Sequence, residues 1–291
     1  MNDENKKPEE QNELSRRDFV AMGIAAGIVA AAGGASAADL QVVEKDVEIT
    51  TPDGTCNAAF IHPTSGSHPA VLIWADAFGL RPALRDMGKR LAAQGYTVLV
   101  PNPFYRVTKD PKLDTATFDF AKDRDKIQPL MNSINADGAA EKDAVAFIAW
   151  LDQQKEVNKS KKIGTQGYCM GGPLVMRTAA SSARIGAGGS FHGGGLVTNN
   201  PNSPHLLAPK IHARMYFGVA KNDDERQPDA KDKLKAALDA AHVVNKIEVY
   251  PANHGWCMSD MPAPANAPIY SKPEAERAWG ELLALYKQAL A

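Results

Sequence analysis

The chain predicts an α/β protein, a mostly parallel sheet with helices on both faces. Short apolar segments alternate with longer segments of helical spacing, the order of a sheet built by crossover connections. Several strand segments, such as Ala70-Val-Leu-Ile-Trp-Ala75, are unbroken apolar runs, as in strands covered on both faces. The 291 residues are 44% hydrophobic and 23% charged, enough apolar material for a full core and too much for a disordered chain. A formal net charge of −1 leaves no electrostatic footprint for nucleic acid, and 3 Cys are too few for a disulfide scaffold.

Residues 42–49 and 56–62 alternate apolar and polar and read as strands joined by the turn Pro52-Asp53-Gly54. Residues 70–75 and 97–100 read as buried strands. Between them residues 84–93 have helical spacing and stop at Gly95. Residues 137–151 carry Ala140, Ala144, Val145, Phe147, Ile148 and Leu151 on one helical face. Strand, helix and strand follow at 162–167, 171–180 and 185–191. The chain continues with a strand at 215–219, a helix at 229–242, a strand at 247–250 and a terminal amphipathic helix at 274–290. Residues 104–135 are the least regular stretch and read as an excursion or lid within the same domain. No period of 20–50 residues repeats, so a solenoid is excluded.

The first residues read as an address. Ser15-Arg16-Arg17-Asp18-Phe19-Val20 opens an uncharged Ala/Gly-rich run that ends in Ala35-Ser36-Ala37. A twin-arginine pair before a mildly apolar, Gly-diluted stretch resembles a Tat export signal, and small-x-small is a cleavage pattern. Residues 1–37 are therefore expected to be a removable signal. Residues 38–291 are expected to form the mature domain, exported folded to the periplasm by the Tat machinery and left without a stable membrane anchor. Cleavage moves the counts to 29 basic and 28 acidic residues, a net charge of +1.

The chemistry concentrates in Gly167-Tyr168-Cys169-Met170-Gly171-Gly172, which follows a strand and opens a helix. This is the setting of the G-x-S-x-G nucleophile elbow, with Cys in place of Ser. Glycines flank a turn too tight for side chains, and the helix N-terminus favours a thiolate. The Met170 N–H is positioned as an oxyanion donor. Downstream come Asp223 or Asp224, past the apolar run 215–220, and then His254, past 247–250. Nucleophile, acid and His in that order, each at a strand end, is the arrangement of α/β-hydrolases. His254 would exchange protons with Cys169 and the leaving group, and the Asp would orient the imidazole.

These pieces resemble the dienelactone hydrolase (carboxymethylenebutenolidase) family of α/β-hydrolases. The resemblance runs from about Val42 to the C-terminus. It is carried by Gly167-Tyr-Cys-Met-Gly-Gly172, Gly218-Val-Ala-Lys-Asn-Asp223, Tyr250-Pro-Ala-Asn-His-Gly255, Ala77-Phe78-Gly79 and the terminal helix. It implies the α/β-hydrolase fold and a triad of Cys169, His254 and Asp223. It also implies a second oxyanion donor at the Ala77 N–H, an acyl-cysteine intermediate on a small lactone or ester, and no cofactor.

Two positions depart from the family. Asp76 stands where the family has a Glu that interacts with the thiol. Met258 stands where its archetype has an Arg that clamps the substrate carboxylate. The loss weakens a dienelactone-specific reading and leaves a broad esterase or thioesterase as an alternative. Arg81, Arg85 and Arg106 are candidate replacements for the clamp. A non-catalytic thiol-redox or binding protein on the same fold is the rival from a different class.

Tyr105, Arg106 and His192, the last in Phe191-His192-Gly-Gly-Gly195, are further candidate substrate or thiol contacts. The His and Cys spacings form no metal motif. Cys56 and Cys257 read as free or buried thiols in preference to a disulfide. The signal reading generates one expected outcome. Replacing Arg16 and Arg17 together by Lys retains the chain in the cytoplasm, as cell fractionation would report; normal export of that variant would refute it.

Overall fold

A computed structural model describes residues 40–119, 122–261 and 269–290 of the chain; residues 1–37, the expected signal, lie outside them. The first two strands, β1 (Val42–Thr51) and β2 (Gly54–Pro63), form an antiparallel hairpin that pairs Thr51 with Gly54. The loop is only Pro52-Asp53. Gly54 leaves it at φ +137°, a backbone state that side chains disfavour, and the Asp53 N–H donates to Thr51 Oγ1 at 3.2 Å.

The remaining strands are β3 (Ala70–Trp74), β4 (Thr97–Pro101), β5 (Ile163–Tyr168), β6 (Ile185–Phe191), β7 (Arg214–Ala220) and β8 (Asn245–Tyr250). They join the hairpin in one sheet of order β1-β2-β4-β3-β5-β6-β7-β8. β2 is antiparallel to both its neighbours, and every pair from β4 through β8 is parallel. From β3 the chain first steps sideways to β4 and later returns to β5 on the other side. The carboxyl ends of β3 and β5 therefore flank a topological switch point, where open α/β sheets collect ligands.

Both faces of the sheet are covered. Along β3, Ala70, Leu72 and Trp74 belong to one core and Val71 and Ile73 to the other, the two-residue period of a doubly buried strand. The first core is closed by α2 (Arg124–Asn135), α3 (Ala139–Leu151), α4 (Gly171–Ser181) and α6 (Ala230–Ala240). The second is closed by α1 (Pro82–Ala93) and α7 (Lys272–Ala289). Trp74 is fully buried and satisfies its indole N–H on Thr178 Oγ1 at 2.8 Å, pinning α4 to the sheet.

Three elements depart from the sequence reading. The irregular stretch contains α2, which buries Ile127, Leu130 and Ile134 at helical spacing despite Pro129 inside it. Tertiary burial outweighs the helix-breaking residue there. The acidic run after β7, to which the sequence reading gave no element, forms a short helix, α5 (Lys221–Arg226). The helix expected from 137 begins at Ala139, because Gly138 stands at φ +72° ahead of it.

The seam between β5 and α7 generates a stability prediction. A Cβ on Gly164 would lie 2.7 Å from Tyr286 Cε1 and 3.0 Å from Leu290 Cδ1, with no room to withdraw from a fully buried ring. Gly164→Ala should lower unfolding free energy by about 1–3 kcal/mol, read as a lower urea midpoint at unchanged slope.

Candidate active site

The site is built on the β5–α4 junction. Cys169 sits between them at φ +53°, a left-handed conformation that a non-glycine residue adopts only when its surroundings enforce it. The enforcement is steric. A Cβ on Gly167 would fall 2.1 Å from the Gly171 carbonyl oxygen. One on Gly171 would fall 2.5 Å from the Trp74 oxygen and 2.7 Å from that of Ala75. The elbow is thus pressed against the end of β3, and only glycines allow it.

The same contact brings the two expected oxyanion donors to neighbouring elements. Met170 precedes the first turn of α4, and Ala77 follows β3; both are buried. Among the hydrogen bonds of the described residues, none uses either N–H. Two unengaged backbone N–H groups on elements that meet at the elbow are candidate donors to a developing oxyanion.

β7 and β8 deliver the other members. His254 Nδ1 lies 2.6 Å from Asp223 Oδ2, and the His254 N–H donates to Asn222 Oδ1 at 2.8 Å. Asp224 instead pairs with Lys231 Nζ at 2.7 Å, so the geometry separates the two acid candidates. Part burial lowers the His254 pKa. Hydrogen bonds to Asp223 and Cys169 and the negative charges of both outweigh it, and the imidazole is pushed up to about 10.

Asp76 is 1% exposed, and its carboxylate is engaged by Arg81 instead of the thiol. Arg81 Nη1 donates to Oδ1 at 2.6 Å and Nη2 to Oδ2 at 2.9 Å. The same guanidinium donates to both oxygens of Asp260, at 2.6 and 2.9 Å. Burial raises the Asp76 pKa while Arg81 opposes that rise. The staple ties the loop carrying Ala77 to the segment six residues beyond His254. The shorter side chain thus serves loop geometry in place of the expected thiol contact.

Tyr105 and Arg106 are likewise committed elsewhere. Tyr105 Oη donates to Asp143 Oδ1 at 2.7 Å, and Arg106 binds both Asp143 oxygens and Asp53. They anchor α3 to the β1–β2 turn and make no hydrogen bond to Cys169, Asp223 or His254. Arg85 is held by Glu44 and Asp46. Met258 is fully buried in the core beneath α1 and α7.

His192 is the residue whose importance sequence left undecided. It is fully buried, and its Nδ1 accepts the Cys169 N–H at 3.1 Å. All three cysteines are free. Cys257 borders a separate cavity of about 190 Å³ whose walls include Met87, Arg90, Tyr168 and Trp279 but neither Cys169 nor His254. Among the described residues no group of three or more His, Cys, Asp or Glu side chains could hold a metal.

A sheet of this order, bearing a cysteine elbow with His and Asp at the ends of its last two strands, defines an α/β-hydrolase. The chain belongs to the dienelactone hydrolase family, whose profile matches residues 56–290, and is a hydrolase of that type. A “Putative carboxymethylenebutenolidase” of Methylorubrum extorquens is 26% identical over 293 residues, covering 96% of this chain and 94% of that one. One of Escherichia coli K12 is 25% identical over 230 residues, covering 77% and 79%. Among solved structures, a “Putative Dienelactone Hydrolase” of Klebsiella pneumoniae superposes with a TM-score of 0.71 at 21% identity, covering 85% of this chain and 99% of that one. A dienelactone hydrolase-like promiscuous phosphotriesterase from metagenomic libraries gives 0.68 at 22% identity, covering 86% and 99%. Those two structures share the fold.

The thiols should react unequally. Burial and the nearby Asp143 charge push Cys56 up to about 12, and burial raises Cys257 well above the ordinary thiol range. Iodoacetamide at about pH 8 should therefore alkylate Cys169 alone in the native protein, and all three cysteines after denaturation, as peptide mass mapping would report.

Proposed function

We propose that the protein hydrolyses a carboxylic ester or lactone through an acyl-cysteine intermediate, with Cys169 as nucleophile, His254 as acid–base and Asp223 as orienting acid. The single observation that carries this is the 2.6 Å hydrogen bond between His254 Nδ1 and Asp223 Oδ2, which orients a base beyond the end of β8. A thiol kept only for sensing needs no oriented base behind it.

In this reading the Cys169 sulfur attacks the acyl carbon, and His254 holds the thiol's proton. The carbonyl oxygen takes up negative charge between the N–H groups of Met170 and Ala77. His254 then passes the proton to the leaving alkoxide, and a thioester remains on Cys169. Water attacks that thioester with its proton going to His254, and the carboxylic acid departs as the thiol reforms. Acylation also resets the base. Two of the causes that raise His254, the hydrogen bond to Cys169 and the charge on it, vanish when the sulfur becomes a neutral thioester. The imidazole then holds a proton less tightly and stays in the neutral form that can take one from water during deacylation.

The substrate we infer is uncharged near the scissile bond. Arg81, Arg85 and Arg106 are each held by two carboxylates, and Met258 is buried in the core, so none of these four supports a carboxylate clamp. Neutral aryl esters and simple lactones should accordingly be hydrolysed better than an anionic dienelactone. The twin-arginine segment supports the periplasm as the place of action.

Cys169→Ala should abolish hydrolysis of 4-nitrophenyl acetate; full turnover by that variant would overturn the assignment. The wild-type kcat/KM should fall on the alkaline side near pH 10, where His254 loses its proton. Asp223→Asn removes the negative charge that helps raise His254, so the same limb should move to lower pH, and a limb left in place would exclude Asp223 as the orienting acid.

A further inference from the structure

The turn after β6 holds a second non-glycine residue in the left-handed region. His192 stands at φ +40°, beside Cys169 at φ +53°. The two turns touch backbone to backbone, since a Cβ on Gly172 would fall 2.5 Å from Gly193 Cα. They are also bonded. The Cys169 N–H is shared between the Phe191 carbonyl and His192 Nδ1, each at 3.1 Å.

His192 faces the base as well. Its ring centroid lies 5.1 Å from that of His254 and 4.9 Å from that of Trp256, edge-on to both. Trp256 in turn stacks on Tyr250, the last residue of β8, at 4.8 Å. One fully buried imidazole therefore holds the nucleophile by a hydrogen bond and backs the base by ring contact. Burial and the neighbouring His254 charge keep His192 well below the usual imidazole range, hence neutral. Neutrality is required, because a protonated Nδ1 cannot accept the Cys169 N–H. With Nδ1 accepting, the hydrogen sits on Nε2, which has no partner among the described residues.

We propose that His192 is a positioning residue that sets the placement of the Cys169 thiol against the His254 imidazole. It rests on the reading of Cys169 and His254 as nucleophile and base. It goes beyond that reading by adding a fourth side chain, outside the triad and the oxyanion donors, on which the pair depends.

The test compares His192→Leu, which removes the acceptor, with His192→Asn, whose Oδ1 can stand in for Nδ1 and which tolerates a left-handed backbone. In the leucine variant kcat for 4-nitrophenyl acetate should fall by about 10- to 100-fold with KM nearly unchanged. The alkaline limb of kcat/KM should move below the wild-type position, because the Cys169–His254 interaction that helps hold it up is loosened. Iodoacetamide alkylation of Cys169, which needs no substrate, should slow in parallel. The asparagine variant should recover all three.

Wild-type kcat and limb in the leucine variant would overturn the proposal. So would equal losses in both variants that track a fall in Tm, since that is a packing effect alone. If the leucine variant does not fold, His192→Gln replaces it, with its acceptor displaced by one methylene; equal activity of the glutamine and asparagine variants would again overturn the proposal. An active Cys169→Ala would instead refute the ester-hydrolysis reading, while the alkylation rates still decide on His192.

Discussion

The structure depends on one close approach, the entry of α4 against the ends of β3 and β5 at Cys169. A left-handed conformation at a residue with a side chain costs about 1–3 kcal/mol and persists only where its surroundings over-determine it. Gly167 and Gly171 remove the side chains that would forbid the contact, and the buried Trp74 bonded to Thr178 holds α4 down on the sheet. From that single constraint follow the left-handed backbone at Cys169 and the closeness of the elbow to the end of β3. The strain is met at the cysteine of the elbow.

Around this point, charge is distributed to hold loops more than to bind ligand. Arg81 takes Asp76 and Asp260 together, and Arg106 takes Asp53 and Asp143 together. Both guanidiniums are largely withdrawn from water, where bidentate pairs gain from the lower dielectric and an unmatched partner would be costly. The strand ends thus carry loops braced by ion pairs, and His254 is left with Asp223 and Cys169 as the charges that set its proton affinity. Arg226 lies 3.3 Å from the other oxygen of Asp223, and the neutral His192 imidazole packs edge-on against His254.

Much of this was legible in the chain. The alternation of strands and helices, the glycine-flanked cysteine after a strand, and Asp223 and His254 after later strands are local patterns set by backbone sterics and burial periodicity. They led directly to the sheet, the elbow and the order of the site residues. The helix Arg124–Asn135 was not legible, because Pro129 masks a pattern that only packing against the sheet rewards. Tyr105 and Arg106 stood at a strand end that suggested substrate contact. Their partners, Asp143 and Asp53, come from a helix and a turn distant in sequence.

The sequence by itself determined the fold class, the glycine-flanked cysteine after a strand and the acidic and histidine residues at later strand ends, since each rests on residue spacing along one segment. Only the tertiary structure decided between Asp223 and Asp224, turned Asp76 toward Arg81, buried Met258 and brought His192 beneath Cys169. The reason is common to all four. Which partner a polar side chain meets, and whether water reaches it, depends on the crossing of segments tens to hundreds of residues apart, and no local pattern encodes that distance.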